Sequence, residues 1–382
     1  MTATIGRIHG LALPAGSVLR REPRRPRELQ PADFSERFDF TTLFYDVFSV
    51  GSLVFLVGPP LVNLRDAFAS AGWGIDGRQL DSQQVNLADV DRTQSSWISL
   101  HQGVPAQTLQ VACGDLRLKT PVSEDGAGLF AGRNVLLTLS KNNDPAWIRD
   151  WITFHRDHHA IDALLLYDNG SDVYTLETLR AVLEHVAGVT TVLIPWNYRF
   201  GPLGSTAGAT PKLPWDSDFC QYGILEHAKL RFLRRANLVV NADVDELLLV
   251  RGGESIGSLM DREGRSFCRY SGHWIQNIRV AATEPTLRHA QFGWVDPAAP
   301  PTEAKWSLRP QRVPLRRLQW RVHDIKGLPA TIHPDVAVRH FAGITIGWRG
   351  PREPRIKDTA QLRIDVELRH AMTRSFGAPA TG

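Results

Sequence analysis

The chain has 382 residues, with 44 basic and 40 acidic side chains and a hydrophobic content of 43%. At roughly 150 residues per domain this length suits two domains, and the ordinary proportions of apolar and charged residues exclude a disordered or fibrous protein. The three cysteines are widely spaced, which argues against a disulfide framework or zinc ribbon and suits a reducing compartment. No apolar run could span a bilayer and no signal peptide is apparent, so a cytoplasmic protein is expected.

Residues 1–33 are rich in Gly, Pro and Arg and lack periodicity, which predicts a loosely ordered leader. Its basic run consists of Arg20, Arg21, Arg24, Arg25 and Arg27. Because no aromatic side chains or reader motif accompany the run, it indicates a solvated arm and no nucleic-acid partner. The alternative for this arm is peripheral contact with an anionic membrane surface or with a glycan.

Residues 34–130 contain short apolar runs separated by Gly, Pro, Asp and Asn. This spacing predicts a small β-rich domain.

Residues 131–350 change character. The continuous apolar run VLLTLS, directly after Asn134, predicts a strand buried on both faces, and Asp144-Pro145 supply an N-cap and a first helical residue. The next apolar run, Ala163 to Tyr167, completes a βαβ unit. The pattern then continues, which predicts an α/β fold with a mostly parallel sheet and helices on both faces.

The later elements follow the same alternation. A helix fits the leucines between 176 and 186, a second runs from about Phe219 to Leu233, and strands are predicted at VTTVLIPW and at Leu238 to Val240. Residues 351–382 are predicted to form a terminal amphipathic helix and tail. In such a fold, ligands bind at the carboxyl ends of the strands.

The segment Asp243-Val244-Asp245-Glu246 follows the last of these strands directly. Residues i and i+2 of an extended chain point to the same side, so both aspartates could face one ion. Carboxylate oxygens suit Mg²⁺ or Mn²⁺, which neutralise phosphate charge. The alternative for this short motif is a capping or solvated turn.

A second acidic turn, Asp168-Asn169-Gly170, ends an earlier strand of the same predicted sheet. Asp168 could accept hydrogen bonds from a nucleobase or ribose, while the Asp243 region serves a diphosphate through a metal. A plain turn that tolerates left-handed backbone is the alternative.

The succession SKNNDPAWIRDWITFH, ALLLYDNGSD and VVNADVDELLL resembles the glycosyltransferase family 92 group and its bacterial family 2-like relatives within the GT-A superfamily. The resemblance covers about residues 130–350. It implies a GT-A (Rossmann-like) mixed sheet and an inverting hexosyltransferase that uses Mn²⁺ or Mg²⁺. The implied substrates are a nucleotide-sugar donor, such as a UDP-sugar, and a hydroxyl acceptor on a glycan or other glycoconjugate.

The resemblance also implies roles for individual residues. Lys141, Asn142 and Asn143 match a family Lys-Asn-Glu segment that contacts the nucleotide, although Asn143 replaces the acid and cannot supply its charge. In VRHFAG, His340 matches a histidine that completes the metal shell with Asp243 and Asp245, and His323 is the competing ligand. Without the analogy, either histidine would be read as a hydrogen-bonded structural residue.

Further candidates lie in the C-terminal half. Lys305 and Arg309, from a stretch similar to the family Lys-x-x-x-Arg-Pro, could place positive charge near the diphosphate, or form a solvated pair. Trp274 could provide a stacking platform for the acceptor sugar. The catalytic base is not assigned by any motif, and the candidates are Glu303, Asp296 and Asp324.

Three histidines of the first long helix, His155, His158 and His159, share a face at helical spacing. No acid or cysteine recurs at ligand spacing, so packing is favoured over a zinc site.

Two other functions fit parts of the pattern. A phosphatase or phosphotransferase could use the first Asp of a DxD as nucleophile, but such motifs usually follow the first strand of the fold and precede Thr. A non-catalytic glycan-binding protein would leave the α/β domain inert.

Overall fold

The computed structural model describes residues 3–100, 106–202, 215–278, 287–347 and 361–377. Within these ranges, the first third of the chain contains short strands and two short helices, α1 (Phe34–Arg37) and α2 (Arg65–Ala69). Strands β1 to β12 span Ala3–Ile5, Leu11–Ala12, Thr42–Phe44, Asp46–Val50, Leu53–Gly58, Gly72–Ile75, Arg78–Gln79, Val85–Asn86, Asp89–Val90, Thr93–Ser99, Thr108–Cys113 and Leu116–Pro121.

From residue 134 onward, strands alternate with longer helices. Helices α3 to α7 span Pro145–His159, Leu176–Glu184, Phe219–His227, Ile256–Arg262 and Val366–Phe376. Strands β13 to β25 span Asn134–Ser140, Ala163–Asp168, Thr190–Pro195, Leu238–Asn241, Glu246–Val250, Phe267–Tyr270, Gly272–Ile275, Trp294–Val295, Lys305–Leu308, Gln319–Trp320, Ile325–Lys326, Val336–Phe341 and Arg363–Ile364.

A seven-stranded sheet in the order β1, β15, β14, β13, β16, β21, β18 forms the centre of the molecule. Neighbouring strands from β1 to β16 run parallel, whereas β21 is antiparallel to both of its neighbours. The predicted α/β class is therefore confirmed as a mixed α/β fold with several smaller sheets. Because β13, β14 and β16 are parallel, their carboxyl ends lie along one edge of the central sheet.

The two faces of the central sheet are covered differently. Leu136 and Leu164 belong to a core shared with α3, α4, α7 and a second sheet in the order β17, β24, β19, β20, β25. Leu137 and Leu165 point to the other face, which packs against α5 and the hairpin of β22 and β23. The helix predicted to run to Leu233 instead ends at His227 and continues as a π-helical turn over Ala228–Phe232.

Helix α3 begins as its sequence predicts. The Asp144 carboxylate accepts a hydrogen bond from the Ala146 N–H at 2.8 Å, and Pro145 occupies the first helical position. Proline has no N–H to lose there, and its backbone torsion already suits a helix. The apolar residues at helical spacing, including Trp151 and Ile152, are buried against the sheet.

The three histidines of α3 are structural. His155 Nδ1 lies 2.8 Å from the Trp151 carbonyl oxygen, and His158 Nε2 lies 3.0 Å from the carbonyl oxygen of Ala371 in α7. Both ring nitrogens of His159 are hydrogen-bonded to backbone groups, at 2.8 Å and 3.2 Å. Burial lowers the pKa of His159 to about 4, so this ring is neutral. The histidines bind α3 to its neighbours.

The β-rich part of the chain contains two further sheets, in the orders β4, β5, β10, β8 and β12, β11, β6, β7. Their inward-facing apolar side chains form a separate core. It includes Leu43, Val54, Leu56, Trp73, Leu109 and Val111.

The prediction of a loosely ordered leader over residues 1–33 is wrong for much of its length. Strand β1 pairs in parallel with β15 and forms an edge of the central sheet. Arg21 is 1% exposed, and its guanidinium donates to the carbonyl oxygens of Pro60, Asp39 and Thr42. These backbone carbonyls need donors once they are buried, and a side chain from the leader supplies them.

Part of the predicted basic arm therefore packs against the rest of the protein. Arg21 is buried, and the Arg20 guanidinium lies 4.9 Å from the centre of the Phe40 ring. Within the described ranges, no helix combines the length and the apolar content that crossing a membrane requires.

A buried polar network connects β4 to the α/β part. The Asp46 side chain is fully buried and accepts hydrogen bonds at 2.8 Å from His227 Nε2, a guanidinium nitrogen of Arg231 and the hydroxyl of Ser123. The Tyr167 hydroxyl lies 2.8 Å from the other ring nitrogen of His227. Burial, only partly offset by Asp46, lowers the pKa of His227, so a neutral ring donates to Asp46 and accepts from Tyr167.

Candidate active site at the carboxyl edge of the sheet

The DVDE segment forms a tight turn between β16 and β17. The Glu246 N–H donates to the Asp243 carbonyl oxygen at 3.0 Å, and the Glu246 carboxylate accepts from the Asp243 N–H at 2.8 Å. Glu246, the third acidic residue of the segment, therefore closes the turn with these two hydrogen bonds. It lies at the carboxyl end of β16, beside the end of the parallel strand β13.

Asp243 pairs with a lysine from the neighbouring antiparallel strand. Because Asn241 pairs with Trp306, Lys305 lies just beyond the end of β16. Its ammonium group is 2.6 Å from the Asp243 carboxylate and 3.4 Å from that of Glu246. Burial alone would lower the pKa of Lys305, but Asp243 and Glu246 raise it above its ordinary value. Lys305 is 1% exposed, whereas the Asp243 side chain is 42% exposed and open to a ligand.

Asp245 meets the predicted histidine ligand. Strands β17 and β24 are antiparallel with Glu246 opposite His340, which brings His340 Nε2 to 3.1 Å from the Asp245 carboxylate. His340 Nδ1 is 3.3 Å from Glu246. Although burial alone would lower the pKa of His340, Asp245 and Glu246 raise it to about 9.

Glu246 organises both halves of this site, and the sequence did not assign it a role. It is 1% exposed, with one oxygen near Lys305 and the other near His340. Burial alone would raise the pKa of Glu246, but Lys305 and then His340 hold it below its ordinary value. The sequence could have indicated this role, because Glu246 is the first residue of the apolar strand β17, which is buried along its whole length. A buried carboxylate requires cationic or hydrogen-bonding partners.

Trp274 lies beside the histidine. Strand β19 runs parallel to β24 with Trp274 opposite His340, and their ring centres are 4.1 Å apart. The predicted acceptor platform and the predicted metal ligand are therefore in contact.

His323, the competing ligand, lies close to Lys305 but has a backbone partner. Its Nδ1 is 2.9 Å from the Ala304 carbonyl oxygen. Burial and then the charge of Lys305 lower the pKa of His323. The structure pairs His340, and not His323, with an aspartate of the DVDE turn.

The acidic turn after β14 is largely self-contained. Both carboxylate oxygens of Asp168 accept hydrogen bonds from Ser171. The Asn169 amide donates to the carbonyl oxygens of Trp196 and Tyr198 at 2.7 Å and 2.8 Å. These contacts match the plain-turn alternative for this segment, although Asp168 retains further acceptor capacity.

The loop after β13 is joined to that turn. Asn142 has a left-handed backbone, and its side chain donates to the Asp172 carboxylate and accepts from the Asp172 N–H, at 2.8 Å and 2.9 Å. The Asn143 amide donates to the Ser140 hydroxyl at 3.0 Å. Lys141 is exposed at the same sheet edge. Of the three residues in this loop that were predicted to contact the nucleotide, Asn142 and Asn143 are hydrogen-bonded within the loops, whereas Lys141 is exposed to solvent.

Arg309 does not reach the site. It follows β21, which is antiparallel to β16, so it lies at the opposite end of the strand from Lys305. Its guanidinium binds the Asn237 and Gly257 carbonyl oxygens and the Asp261 carboxylate. Arg309 therefore lies at the opposite sheet edge from Asp243 and Lys305.

The three candidate bases differ in their surroundings. Asp296 accepts a hydrogen bond from the Ala298 N–H and caps its own turn. Asp324 is 3.9 Å from Arg321 in the hairpin of β22 and β23. Glu303 is exposed, two residues before Lys305.

Asp243, Asp245 and His340 were predicted to be the metal ligands, and two of them lie close together. Among the described residues, no three His, Cys, Asp or Glu side chains are grouped as a complete metal site requires. Asp245 and His340 nevertheless approach to 3.1 Å, and adjacent ligands of an octahedral ion with bonds of about 2.1 Å lie about 3.0 Å apart. These two side chains fit as neighbouring ligands, while Asp243 pairs with Lys305.

Comparisons with known proteins add little to this geometry. No protein-family model matches the chain, and no curated protein matches it. Among solved structures, the chain is similar to the apo structure of the bifunctional glycosyltransferase WbbM, at 15% sequence identity and a TM-score of 0.26. The match covers 46% of this chain and 27% of that one, so it spans about a quarter of the WbbM chain. A TM-score of this size does not establish a shared fold.

Proposed function

We propose that this chain is a GT-A-type glycosyltransferase that moves a hexose from a nucleotide-sugar, with UDP-sugars as the first donors to test, to a hydroxyl of a glycan or other glycoconjugate. The observation that carries the proposal is the DVDE turn at the carboxyl edge of the sheet. There Asp243 meets Lys305, and Asp245 meets His340. This edge is where α/β sheets bind phosphorylated ligands.

Asp245 and His340 would hold a Mn²⁺ or Mg²⁺ ion, with Asp243 exposed beside them for the ion or the ribose. Mg²⁺ commonly takes one or two carboxylates and fills its remaining positions with water and substrate phosphates, so an incomplete protein shell suits a donor-dependent site. When bound, the ion would neutralise charge on the diphosphate. Glu246 orients His340 from the other side of its ring.

The chain supplies two further cations along the same edge. Lys305 is fixed by two carboxylates and would contribute charge as the leaving group becomes more anionic. Lys141 is exposed after β13 and would contact the nucleotide together with Asp168 and Asn143. Asn142 and Asn169 would act indirectly, because their amides hold the two loops in shape.

In the transfer itself, the acceptor oxygen forms a bond to the sugar C1 while the bond from C1 to the diphosphate oxygen breaks. The diphosphate leaves with the electron pair, and the acceptor hydroxyl proton passes to a carboxylate. Attack from the opposite face of the sugar inverts its configuration. Glu303 is the preferred base, because it is exposed near Lys305, whereas Asp296 caps a turn and Asp324 lies near Arg321.

The test is donor turnover. Purified protein with Mn²⁺ is incubated with a panel of nucleotide-sugars, and nucleoside diphosphate release is measured beside the thermal shift produced by UDP and Mn²⁺. Asp245→Asn and His340→Ala are each expected to lower release about 100-fold or more, the scale seen when one strong electrostatic group is removed from an active site. Asp66→Asn, at an exposed position in α2, is the matched control.

Absence of release from every donor, together with no Mn²⁺-dependent thermal shift with UDP, would overturn the proposal. Hydrolysis of p-nitrophenyl phosphate that is abolished by Asp243→Asn would favour the phosphatase alternative. That alternative is disfavoured by the topology, because the DVDE turn follows β16, after β13, β14 and β15 along the chain.

A further inference from the structure

A cavity of about 270 Å³ lies between the leader, the β-rich part and the start of α5. These segments are far apart in sequence and meet only in the folded chain. The cavity lining includes Phe38, Asp91, Arg92, Trp215, Asp216 and Arg321.

Two arginines at the cavity are paired with acidic side chains. Arg92, whose side chain is 10% exposed, lies 3.2 Å from the Asp216 carboxylate and also binds that of Asp218. Arg321 lies 3.2 Å from the Asp91 carboxylate. Glu22 and Arg24 also line the cavity, so its walls carry three acidic and three basic side chains and offer many hydrogen-bonding groups without net formal charge. This suits a neutral polyhydroxylated ligand better than a phosphate.

Aromatic groups complete the lining. Trp215 Nε1 is buried and has no hydrogen-bond partner among the residues that the structure describes, which leaves a donor for a ligand oxygen. Phe38 and Phe219 pack edge to face with ring centres 5.9 Å apart. Phe38 and Phe219 are only 1% and 7% exposed, so the half-buried Trp215 provides the aromatic face. Such a face beside planar polar side chains matches a sugar ring, which carries apolar C–H faces and a rim of hydroxyls.

The cavity is connected to the candidate active site through the β22 and β23 hairpin. Arg321 begins the turn of the β22 and β23 hairpin, and its carbonyl oxygen accepts a hydrogen bond from Trp306 Nε1 at 2.8 Å. Trp306 follows Lys305, and His323 of the same turn is hydrogen-bonded to the Ala304 carbonyl oxygen. One wall of the cavity is therefore attached to the strand that carries Lys305.

We propose that this cavity binds a sugar residue of the acceptor glycan. The inference rests on the proposed glycosyltransferase function and gives it a substrate class, an oligosaccharide held partly outside the DVDE site. It also gives the β-rich part a role, since Asp91 and Arg92 belong to the turn between β9 and β10. Trp215 stacks on or donates to this sugar and does not touch the donor.

The experiment compares wild type with Trp215→Leu, Trp215→Phe and a matched control, Trp97→Leu, whose tryptophan lies on β10 over Arg316. Fluorescently labelled full-length protein is applied to a glycan array without donor. Donor hydrolysis and the UDP and Mn²⁺ thermal shift are measured on the same samples. Thermal unfolding shows that each variant is folded, and Trp215→Phe keeps a ring if Trp215→Leu does not fold.

Wild type is expected to bind at least one glycan. Trp215→Leu should weaken that binding about tenfold or more, because a ring face and a donor are lost together, while Trp215→Phe loses the donor alone. Trp97→Leu should bind as wild type does, and all variants should keep donor hydrolysis.

Three results would overturn the acceptor site: no glycan bound by wild type, unchanged binding by the Trp215 variants, or loss of donor hydrolysis in those variants. Failure of wild type to hydrolyse any donor contradicts the glycosyltransferase function instead. Glycan binding through Trp215 without donor hydrolysis would leave the cavity as a sugar site on a non-catalytic protein, and would remove its assignment as an acceptor site.

Discussion

Replacing Asp46 by Asn tests whether the buried network between β4 and the α/β part stabilises the whole chain. Asp46 is fully buried and accepts hydrogen bonds from His227, Arg231 and Ser123, together with the His9 N–H at 2.8 Å. An asparagine has one acceptor oxygen, so its NH₂ group would face donors, and the Arg231 guanidinium would lose its carboxylate. Removing one partner of a buried ion pair costs about 3–5 kcal/mol, which is the expected loss in free energy of unfolding.

Urea titration followed by tryptophan fluorescence at pH 7 measures this loss, with the exposed Asp66→Asn as control. Burial alone would raise the pKa of Asp46, but His227 and Arg231 hold it below its ordinary value. A lowered folded-state pKa contributes stability that is fully present above the unfolded pKa of about 3.9 and is lost as pH falls through the folded pKa. The difference in free energy of unfolding between wild type and Asp46→Asn should therefore become smaller below about pH 4. A loss under about 1 kcal/mol at pH 7, no larger than one ordinary hydrogen bond, would refute the reasoning.

Two further changes test the site and its scaffold. Lys305→Met keeps the length of the side chain but removes its charge, and donor hydrolysis should fall about 100-fold, with the exposed Lys326→Met unchanged. A turnover number within threefold of wild type would remove Lys305 from the mechanism. His159→Phe leaves the Leu248 carbonyl oxygen and Ile256 N–H without partners, and should lower the free energy of unfolding by about 2–4 kcal/mol. Zn²⁺ should not change the melting temperature of the His340→Ala variant, which lacks the proposed metal ligand, and a large stabilisation of that variant by Zn²⁺ would revive the histidine metal site.

The candidate site contains its own counterions. Asp243, Asp245 and Glu246 are matched by Lys305 and by His340, whose pKa is raised to about 9. Three carboxylates in one turn would otherwise repel each other, so these contacts stabilise the turn in the absence of a ligand. The network is therefore formed before any ligand binds.

Local sequence was sufficient for the central strands and the first long helix. The run of buried residues in β13 follows from its continuous apolar sequence, and the start of α3 follows from Asp144 and Pro145. Both depend on nearest neighbours and on side-chain chemistry that acts within one turn. The DVDE motif was visible for the same reason, since it directly follows an apolar strand.

The family resemblance added predictions about residues that are far apart in the chain. It named His340 as a partner of Asp245 across 95 positions, and the structure places the two side chains 3.1 Å apart. Periodicity alone could not have paired them, because only the register between β17 and β24 brings them together. Strand direction likewise decides the position of Arg309, which follows β21 and therefore lies at the opposite sheet edge from Lys305.

The leader shows what only the tertiary structure decided. Its composition indicated a solvated arm, yet β1 completes the central sheet and Arg21 is buried among three carbonyl oxygens. A sheet edge or a group of buried carbonyl oxygens can pair with any segment that has suitable hydrogen-bond donors. The local sequence pattern of the leader therefore does not show that the leader is the segment that pairs with them. The amino-acid sequence by itself determined the α/β class, the main strands and the acidic turn. The tertiary structure decided which cations meet those acids, and it formed the cavity at Trp215, because both depend on contacts between residues far apart in the chain.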